Sequence, residues 1–212
     1  AKKLIAADAA AADNFGRSVA IDGNRLVVGA DDDDTGAENN HGSAYIFERH
    51  AGGVENWGQT RKLGASDAAT NDRFGQSVGI DGDAVIVGAP LDDIAGGTDQ
   101  GSAYIFSQNA GGGDNWGQVA KLFGSDGDGG DFFGYSVAVS GDNFLAGAYQ
   151  ATVPTPLSRN KFGGIVNGAA YVFRGSAFSS LAGEVAISGR AVTAGGAGIR
   201  NARLTLVAPN GE

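Results

Sequence analysis

A phenylalanine–glycine pair returns at a constant interval of 59 residues, and this repeat constrains the fold more than any other feature of the chain. Its three copies are Phe15-Gly16, Phe74-Gly75 and Phe133-Gly134. Other motifs keep the same interval, namely Trp57 with Trp116 and Lys62-Leu63 with Lys121-Leu122. A fixed period of this kind indicates a chain built from equivalent structural units that stack on one another.

Each unit contains four short segments with the character of β-strands, separated by turns. In the first unit they cover residues 15–21, 25–30, 43–48 and about 57–65. The second segment is an almost continuous apolar run, typical of a strand buried on both faces, and Asp22-Gly23-Asn24 before it has hairpin-turn chemistry. In the third unit the third segment comes eight residues late, which predicts an insertion within residues 150–166. No segment has convincing helical periodicity.

Four antiparallel strands, repeated, predict an all-β fold made of β-propeller blades. One four-stranded sheet cannot cover both of its apolar faces, so we expect the units to stack face to face. The predicted blades are residues 8–66, 67–125 and 126–175, with a linker at 176–183. Closed propellers have about four to eight blades, and residues 2–7 match the fourth strand of a preceding unit. We therefore expect part of a longer ring, with self-assembly of short chains into a ring, filament or matrix as the alternative.

The clearest copy of the repeat covers Phe74 to Ile80, Val85 to Pro90 and Gly101 to Phe106. These segments resemble the FG-GAP repeat, and the resemblance extends over about residues 1–175. It implies a seven-bladed propeller like that of integrin α-chains and of many secreted bacterial proteins. It also implies an extracellular or cell-surface location and a role in cell adhesion or binding, with a protein or glycan ligand at the loops.

The tail differs in composition from the repeats. Residues 185–193 and 202–207 alternate between apolar and polar like strands, and a turn at 195–198 separates them. Both resemble the opening of carboxypeptidase-regulatory-like or Cna-B-like Ig-type β-sandwich domains, which are non-catalytic stalk modules. We therefore predict that residues 184–212 begin such a domain.

Acidic residues cluster after the second strand of the first two units, and they are the candidate metal ligands. They are Asp31, Asp32, Asp33, Asp34 and Glu38 in the first unit and Asp92, Asp93 and Asp99 in the second. Clustered carboxylates suit a hard cation such as Ca²⁺, whereas the alternative is a solvated acidic loop. The calcium loop that many integrin-type blades carry between strands one and two is absent, because that link is shortened to segments such as Asp22-Gly23-Asn24.

Other residues that recur in phase have structural interpretations. Trp57 and Trp116 are predicted to anchor the outer strand rather than to stack on sugars. A second set is predicted to accept hydrogen bonds from backbone N–H groups in the turns between blades. It comprises Asp13, Asp72 and Asp131, together with Asp8, Asp67 and Asp126.

Composition narrows the function classes. The net charge of −9 disfavours nucleic acids and anionic membranes as partners, and no apolar run reaches the roughly 20 residues of a membrane-spanning helix. The chain has no cysteine, which excludes disulfides and thiolate chemistry and favours a bacterial source. No residues suggest a catalytic site, so we expect a secreted non-enzyme whose signal peptide is not in this chain. The alternative is a non-catalytic part of a secreted metal-dependent hydrolase.

Overall fold

A computed structural model describes residues 1–34, 39–94, 97–113, 115–153, 165–166, 168–175 and 187–192. Every regular element within these ranges is a β-strand. The strands form three four-stranded antiparallel sheets and one short hairpin. This confirms the predicted all-β class and the assignment of one sheet to each repeat.

The first two sheets have the same order and nearly the same bounds. Blade 1 contains β1 (Ser18–Asp22), β2 (Arg25–Ala30), β3 (Ser43–Glu48) and β4 (Gly58–Leu63). Blade 2 contains β5 (Ser77–Asp81), β6 (Ala84–Ala89), β7 (Ser102–Ser107) and β8 (Gly117–Leu122). In both, each strand pairs with the next one along the chain, and the pairing of the third and fourth strands contains one irregularity at the same place. The turn chemistry between the first two strands therefore gives the hairpins that the sequence predicts.

Blade 3 keeps this plan but carries an insertion. It contains β9 (Phe133–Ser140), β10 (Asn143–Ala148), β13 (Ala169–Gly175) and β14 (Ile187–Val192). Between β10 and β13 lies a separate hairpin of β11 (Thr152–Val153) and β12 (Ile165–Val166). The predicted insertion within residues 150–166 is confirmed, since both strands of this hairpin fall inside it.

Strand β14 is placed differently from the sequence prediction. The sequence analysis assigned residues 184–212 to a following sandwich domain, but Ile187–Val192 pairs antiparallel with β13 as the outer strand of blade 3. Alternation cannot distinguish these assignments, because the open edge of β13 can pair with any segment of strand character. The predicted linker at 176–183 and the remainder of residues 184–212 lie outside the described residues.

Successive blades pack face to face through apolar side chains. Val27 and Ile46 of blade 1 lie in one buried cluster with Val78 of blade 2, and a second cluster joins blade 2 to blade 3 in the same way. The phenylalanine of each repeated pair has an equivalent neighbour in its own blade. The ring centroids are 5.6, 5.5 and 5.1 Å apart in the pairs Phe15–Tyr45, Phe74–Tyr104 and Phe133–Tyr171. The repeat therefore places equivalent residues in equivalent environments.

The glycines of the repeat permit close contact between neighbouring blades. A Cβ atom on Gly29 would lie 1.9 Å from the carbonyl oxygen of Gly75, and one on Gly88 would lie 1.9 Å from that of Gly134. The same carbonyl oxygens accept hydrogen bonds from Ser18 Oγ and Ser77 Oγ of the preceding blade, at 2.8 and 2.7 Å. The glycine of the second and third phenylalanine–glycine pairs is thus the point at which one blade docks against a glycine of the blade before it.

The first residues of the chain lie against blade 1 as the end of β4 lies against blade 2. The backbone N–H of Ala7 donates to Gln59 Oε1 at 2.8 Å, and that of Ser66 donates to Gln118 Oε1 at 3.0 Å. Both members of the first pair precede those of the second by 59 residues. Residues 2–7 therefore occupy the position that the outer strand of a preceding blade would take, as their sequence predicts.

Candidate functional site

Charged side chains gather at two kinds of place in the described structure. One is a cluster around a lysine of the fourth strand, present in blades 1 and 2, and here called the lysine cluster. The other is the acidic segment of residues 31–34 that follows β2. Between them they contain most of the carboxylates that the sequence analysis proposed as metal ligands.

The lysine cluster of blade 2 is built on β7 and β8. Lys121 Nζ lies 2.7 Å from Asp92 Oδ2 and 2.6 Å from Asp67 Oδ2. The hydroxyl of Tyr104 donates to Asp92 or Asp67, at 2.9 Å from each, and the Ser102 hydroxyl donates to Asp92. All these residues except Asp67 are buried. Because a buried charge is costly unless it is paired and hydrogen-bonded, the cluster depends on all of its members.

Blade 1 repeats the arrangement with every member 59 residues earlier. Lys62 Nζ lies 2.8 Å from Asp33 Oδ2 and 2.6 Å from Asp8 Oδ2. The hydroxyl groups of Ser43 and Tyr45 donate to Asp33 at 2.6 and 3.1 Å. The agreement between two independent copies indicates that this cluster belongs to the frame of the blade.

Blade 3 lacks most of the cluster, and the losses are coordinated. Ala151 occupies the position of Asp92, and Ala169 occupies that of Ser102. Among the described residues of blade 3, only the contact between Tyr171 and Asp126 remains, with the hydroxyl donating at 3.2 Å. Removing a buried acid together with its buried hydrogen-bond donor avoids leaving either group unpaired. This pattern is typical of a structural network and not of a site that acts on a ligand.

The protonation states of the cluster follow from its pairing. Burial alone would raise the pKa of Asp67, but the hydrogen bond and the charge of Lys121 lower it below the usual value. Burial alone would lower the pKa of Lys121, but its hydrogen bonds to Asp67 and Asp92 raise it instead. Lys121 therefore stays protonated and Asp67 stays ionised near neutral pH. A lysine held in this form stabilises the fold but cannot serve as a nucleophile or base.

The acidic segment after β2 is neutralised by arginine side chains. Asp31 is completely buried, and its Oδ2 lies 3.4 Å from Arg17 Nε and 3.8 Å from Arg73 Nη1. Asp32 Oδ1 lies 3.5 Å from Arg73 Nη2. Asn14 Nδ2 donates to both acids, at 3.3 and 2.5 Å. Burial raises the pKa of Asp31 most, the neighbouring charge of Asp32 adds to this, and Asn14 and the two guanidinium groups oppose it.

The predicted calcium ligands that the structure describes do not converge on one centre. Asp33 and Asp92 lie in the lysine clusters, while Asp34 and Asp93 accept hydrogen bonds from the backbone N–H groups of Asn40 and Asp99 at 2.7 and 2.8 Å. Asp99 itself has positive φ in a turn, and Glu38 lies outside the described residues. Among the residues that the structure does describe, no three acids or histidines are placed to hold a metal ion.

Sequence reasoning missed the cations that balance these acids. The cations Arg17, Arg73, Lys62 and Lys121 are distant in sequence from the acids that they contact. The recurrence of Lys62 as Lys121, in phase with Asp33 and Asp92, is the signal that could have found the lysine clusters. The arginine contacts to Asp31 and Asp32 have no such repeat, because the equivalent residues in blade 2 are Pro90 and Leu91.

The predicted turn acceptors are confirmed. One carboxylate oxygen of Asp13, Asp72 and Asp131 accepts the backbone N–H three residues earlier, at 2.5, 2.7 and 2.9 Å respectively. The same role was predicted for Asp8, Asp67 and Asp126. Their side chains instead contact the lysine or tyrosine of the cluster.

The tryptophans pack as the sequence analysis predicts. Trp116 is buried in the apolar cluster between blades 1 and 2. Trp57 packs against the apolar cluster on the face of blade 1 that points away from blade 2. Both residues immediately precede the outer strand of their blade. They anchor that strand and do not form an exposed platform.

The pH dependence of unfolding is expected to show the cost of burying Asp72. Burial, with a smaller contribution from the charge of Asp92, raises the pKa of Asp72 to about 6. A group whose pKa is raised by folding contributes stability at low pH and loses it as pH rises through that value. When the pH is lowered from 7.5 to 5, the free energy of unfolding of the wild type should therefore increase by about 1.4 kcal/mol relative to that of Asp72→Asn.

Guanidinium titrations of both proteins at the two pH values measure this difference. The comparison cancels the other titrating groups, because the two proteins share them. A constant difference between the two pH values would contradict the assignment of this pH dependence to Asp72.

The segments that carry the phenylalanine–glycine pairs match a known repeat family. A comparison with protein-family models matches the FG-GAP repeat over residues 1–47, 57–106 and 116–173. The chain belongs to the FG-GAP repeat family. The second matched segment of this FG-GAP chain runs from the start of β4 to the end of β7. The unit of the family's sequence thus begins with an outer strand and ends with the third strand of the next blade.

Two further findings bear on function. A comparison of this FG-GAP chain with curated proteins gave no match. The part of the chain that the structure describes contains no helix that is long and apolar enough to cross a membrane.

Proposed function

We propose that this FG-GAP chain is a non-catalytic binding module of a secreted or surface-displayed bacterial protein. In this proposal the three blades are a rigid frame, and the loops between the second and third strands make the ligand contacts. The proposal rests on the family and on one observation, which is that these three loops share their anchoring while their chemistry differs.

The anchoring is a backbone hydrogen bond that closes each loop. Gly42 donates to the Asp33 carbonyl at 3.1 Å, Gly101 to the Asp92 carbonyl at 2.9 Å, and Gly168 to the Ala151 carbonyl at 3.2 Å. Since the three blades are equivalent, the loops leave the stack at the same edge. Variable segments held at one edge of a fixed frame are the usual arrangement of binding proteins.

The loops themselves differ in charge, and the third is longer than the other two. The first begins with four consecutive aspartates, the second contains Leu91 and Ile94 beside its acids, and the third carries the hairpin of β11 and β12. A combined surface of this kind offers polar, charged and apolar contacts to one extended partner. This supports a protein or a glycan as the ligand, on the analogy of the family. The residues that follow β14 would then begin a stalk domain.

Retention on arrays tests this proposal. The labelled chain is applied to a printed glycan array and to an array of immobilised extracellular matrix proteins. We expect binding to a subset of spots on one array. The variant Asn39→Ala/Thr98→Ala/Gln150→Ala changes one exposed residue in each loop, and we expect it to bind at least about tenfold more weakly, as loss of interface contacts commonly does.

The matched control carries substitutions at the opposite ends of the blades. Asn24→Ala/Asp142→Ala alters exposed residues of the hairpins between the first and second strands. It should retain full binding, because these turns lie far from the proposed surface. Failure to bind either array, or equal losses in the loop variant and the control, would reject the proposal.

A further inference from the structure

Arg73, the residue before the second phenylalanine–glycine pair, contacts both ends of the loop between β2 and β3, here called the first loop. At the start of this loop, its guanidinium group lies 3.8 Å from Asp31 Oδ2 and 3.5 Å from Asp32 Oδ1. Near the end of the loop, the backbone N–H of Arg73 donates to the carbonyl of Asn40 at 3.2 Å. A single residue of blade 2 therefore holds a loop of blade 1 at two points.

The backbone of Arg73 is in a conformation that does not suit an arginine. Its φ is +57°, and the equivalent residues Asn14 and Phe132 have φ of +56° and +55°. Glycine and asparagine adopt this left-handed conformation most readily, whereas longer side chains are disfavoured in it. The N–H bond to Asn40 and a bond from the Gln76 N–H to the Arg73 carbonyl, at 3.1 Å, fix the conformation. An arginine kept at such a position indicates a role for its side chain.

The carboxylate of Asp31 shows what that side chain does. Asp31 is completely buried, and among the described residues no group donates a hydrogen bond to its Oδ2 atom. The cations at this oxygen are Arg73 and Arg17, whose Nε lies 3.4 Å away. A buried carboxylate is costly unless its charge is paired. Of the two arginines, Arg73 is the one that ties this carboxylate to the neighbouring blade.

The next junction between blades lacks the arginine and both acids together. The residues at these repeat positions are Phe132, Pro90 and Leu91. The backbone contact is nevertheless kept, because the N–H of Phe132 donates to the Asp99 carbonyl at 3.2 Å. Joint replacement of the three charged side chains indicates that they work as one unit, and that this unit belongs to the first loop.

We propose that Arg73 is a positioning residue that holds the first loop in its binding conformation from the neighbouring blade. The inference rests on the proposed function, in which exposed residues of this loop such as Asp34 and Asn39 meet the ligand. A loop that is ordered before binding loses less conformational freedom when the ligand arrives. Arg73 thus acts on affinity through the order of the loop.

Hydrogen exchange measured by NMR tests this role without a ligand. Asparagine already has this backbone conformation in blade 1, so Arg73→Asn removes the guanidinium group and leaves the backbone in place. The amides of Asn40 and Gly42 donate to other residues of the first loop, at 2.7 and 3.1 Å. They should exchange at least about tenfold faster in the variant, because the loop opens more often. The amides of Asp99 and Gly101, which occupy the same positions in blade 2, should be unchanged.

Binding to the array that retains the wild type gives the second measurement. Arg73→Asn should bind about tenfold more weakly, since the loop must now be ordered on binding. The variant Asp31→Pro/Asp32→Leu/Arg73→Phe gives the first junction the residues of the second. It should restore the slow exchange of the loop amides and most of the binding. A ligand contact made by Arg73 itself would not be restored in this way.

The matched control is Arg49→Asn, which removes an exposed arginine that pairs with Glu55 in the outer hairpin of blade 1. It should change neither the exchange of the loop amides nor binding. Unchanged exchange of Asn40 and Gly42 in Arg73→Asn would overturn the proposal, and so would a loss of binding that the triple variant does not restore. A wild type that binds neither array would reject the proposed function instead, while the exchange rates still decide whether Arg73 orders the loop.

Discussion

Replacing Gly88 with alanine is expected to lower the free energy of unfolding by about 3 kcal/mol, a cost typical of forced overpacking. The new Cβ atom would lie 1.9 Å from the carbonyl oxygen of Gly134 and 2.4 Å from Ser77 Oγ. A backbone oxygen cannot turn aside as a side chain can. Relief therefore requires the two blades to separate, which also lengthens the hydrogen bond from Ser77 Oγ to the same oxygen.

The matched control for this substitution is Gly64→Ala. Gly64 follows β4, it is exposed, and a Cβ atom there would have nothing within 4 Å. Its replacement should change stability by less than about 0.5 kcal/mol, as is usual at open surface positions. Guanidinium-induced unfolding followed by tryptophan fluorescence measures both variants. If Gly88→Ala were as mild as the control, the close approach of the blades would not be a constraint on this glycine.

The repeat made the blade architecture predictable because its signals are local. Asp22-Gly23-Asn24 lies between two strands that it connects, and the apolar run of β2 lies within a few residues of that turn. The phase of the phenylalanine–glycine pairs then extends one blade to the next. The identity of the repeated strands and the insertion before β13 follow from these local signals and from the constant phase of the repeat.

The charged contacts could not be predicted in the same way, because they join residues of neighbouring strands or neighbouring blades. Nothing next to Asp33 in the sequence indicates a partner for its carboxylate. Its partner Lys62 lies on β4, and the whole of β3 separates the two residues along the chain. The clustered acids suggest a metal ion such as Ca²⁺. In the structure, lysine and arginine side chains balance their charge instead. The position of β14 could not be predicted for a similar reason, because its pairing with β13 joins segments that are separated along the chain.

The third blade shows what the frame requires. It retains the phenylalanine–glycine contact, the aspartate that closes the turn and the backbone bond that closes the loop, but it has lost the lysine cluster. Ala151 and Ala169 replace the buried acid and hydroxyl together. A blade of this family can therefore contain either the complete lysine cluster or apolar residues in its place. Variants that keep only some members of the cluster should be less stable than either.

Lys121→Met tests this expectation, and it should lower the free energy of unfolding by about 3–5 kcal/mol, the usual cost of removing one partner from a buried ion pair. Lys121 and Asp92 are both buried, and no other lysine or arginine forms a described ion pair with Asp92. Methionine preserves most of the volume of the lysine stem, so lost packing contributes little. The penalty comes from leaving the Asp92 carboxylate in the interior without its counter-charge.

The triple variant Lys121→Met/Asp92→Ala/Ser102→Ala is the matched control, because it gives blade 2 the residues that blade 3 has at two of these positions. This variant removes both Lys121 and Asp92, so neither charge is left buried without its partner. Its free energy of unfolding should therefore lie within about 2 kcal/mol of that of the wild type, despite the larger number of substitutions. A double-mutant cycle between Lys121→Met and Asp92→Ala/Ser102→Ala, measured by guanidinium titration, should give a coupling energy of at least about 2 kcal/mol. Additive losses would mean that the lysine and the acid stabilise the blade independently. In that case the joint replacement in blade 3 would have no energetic basis.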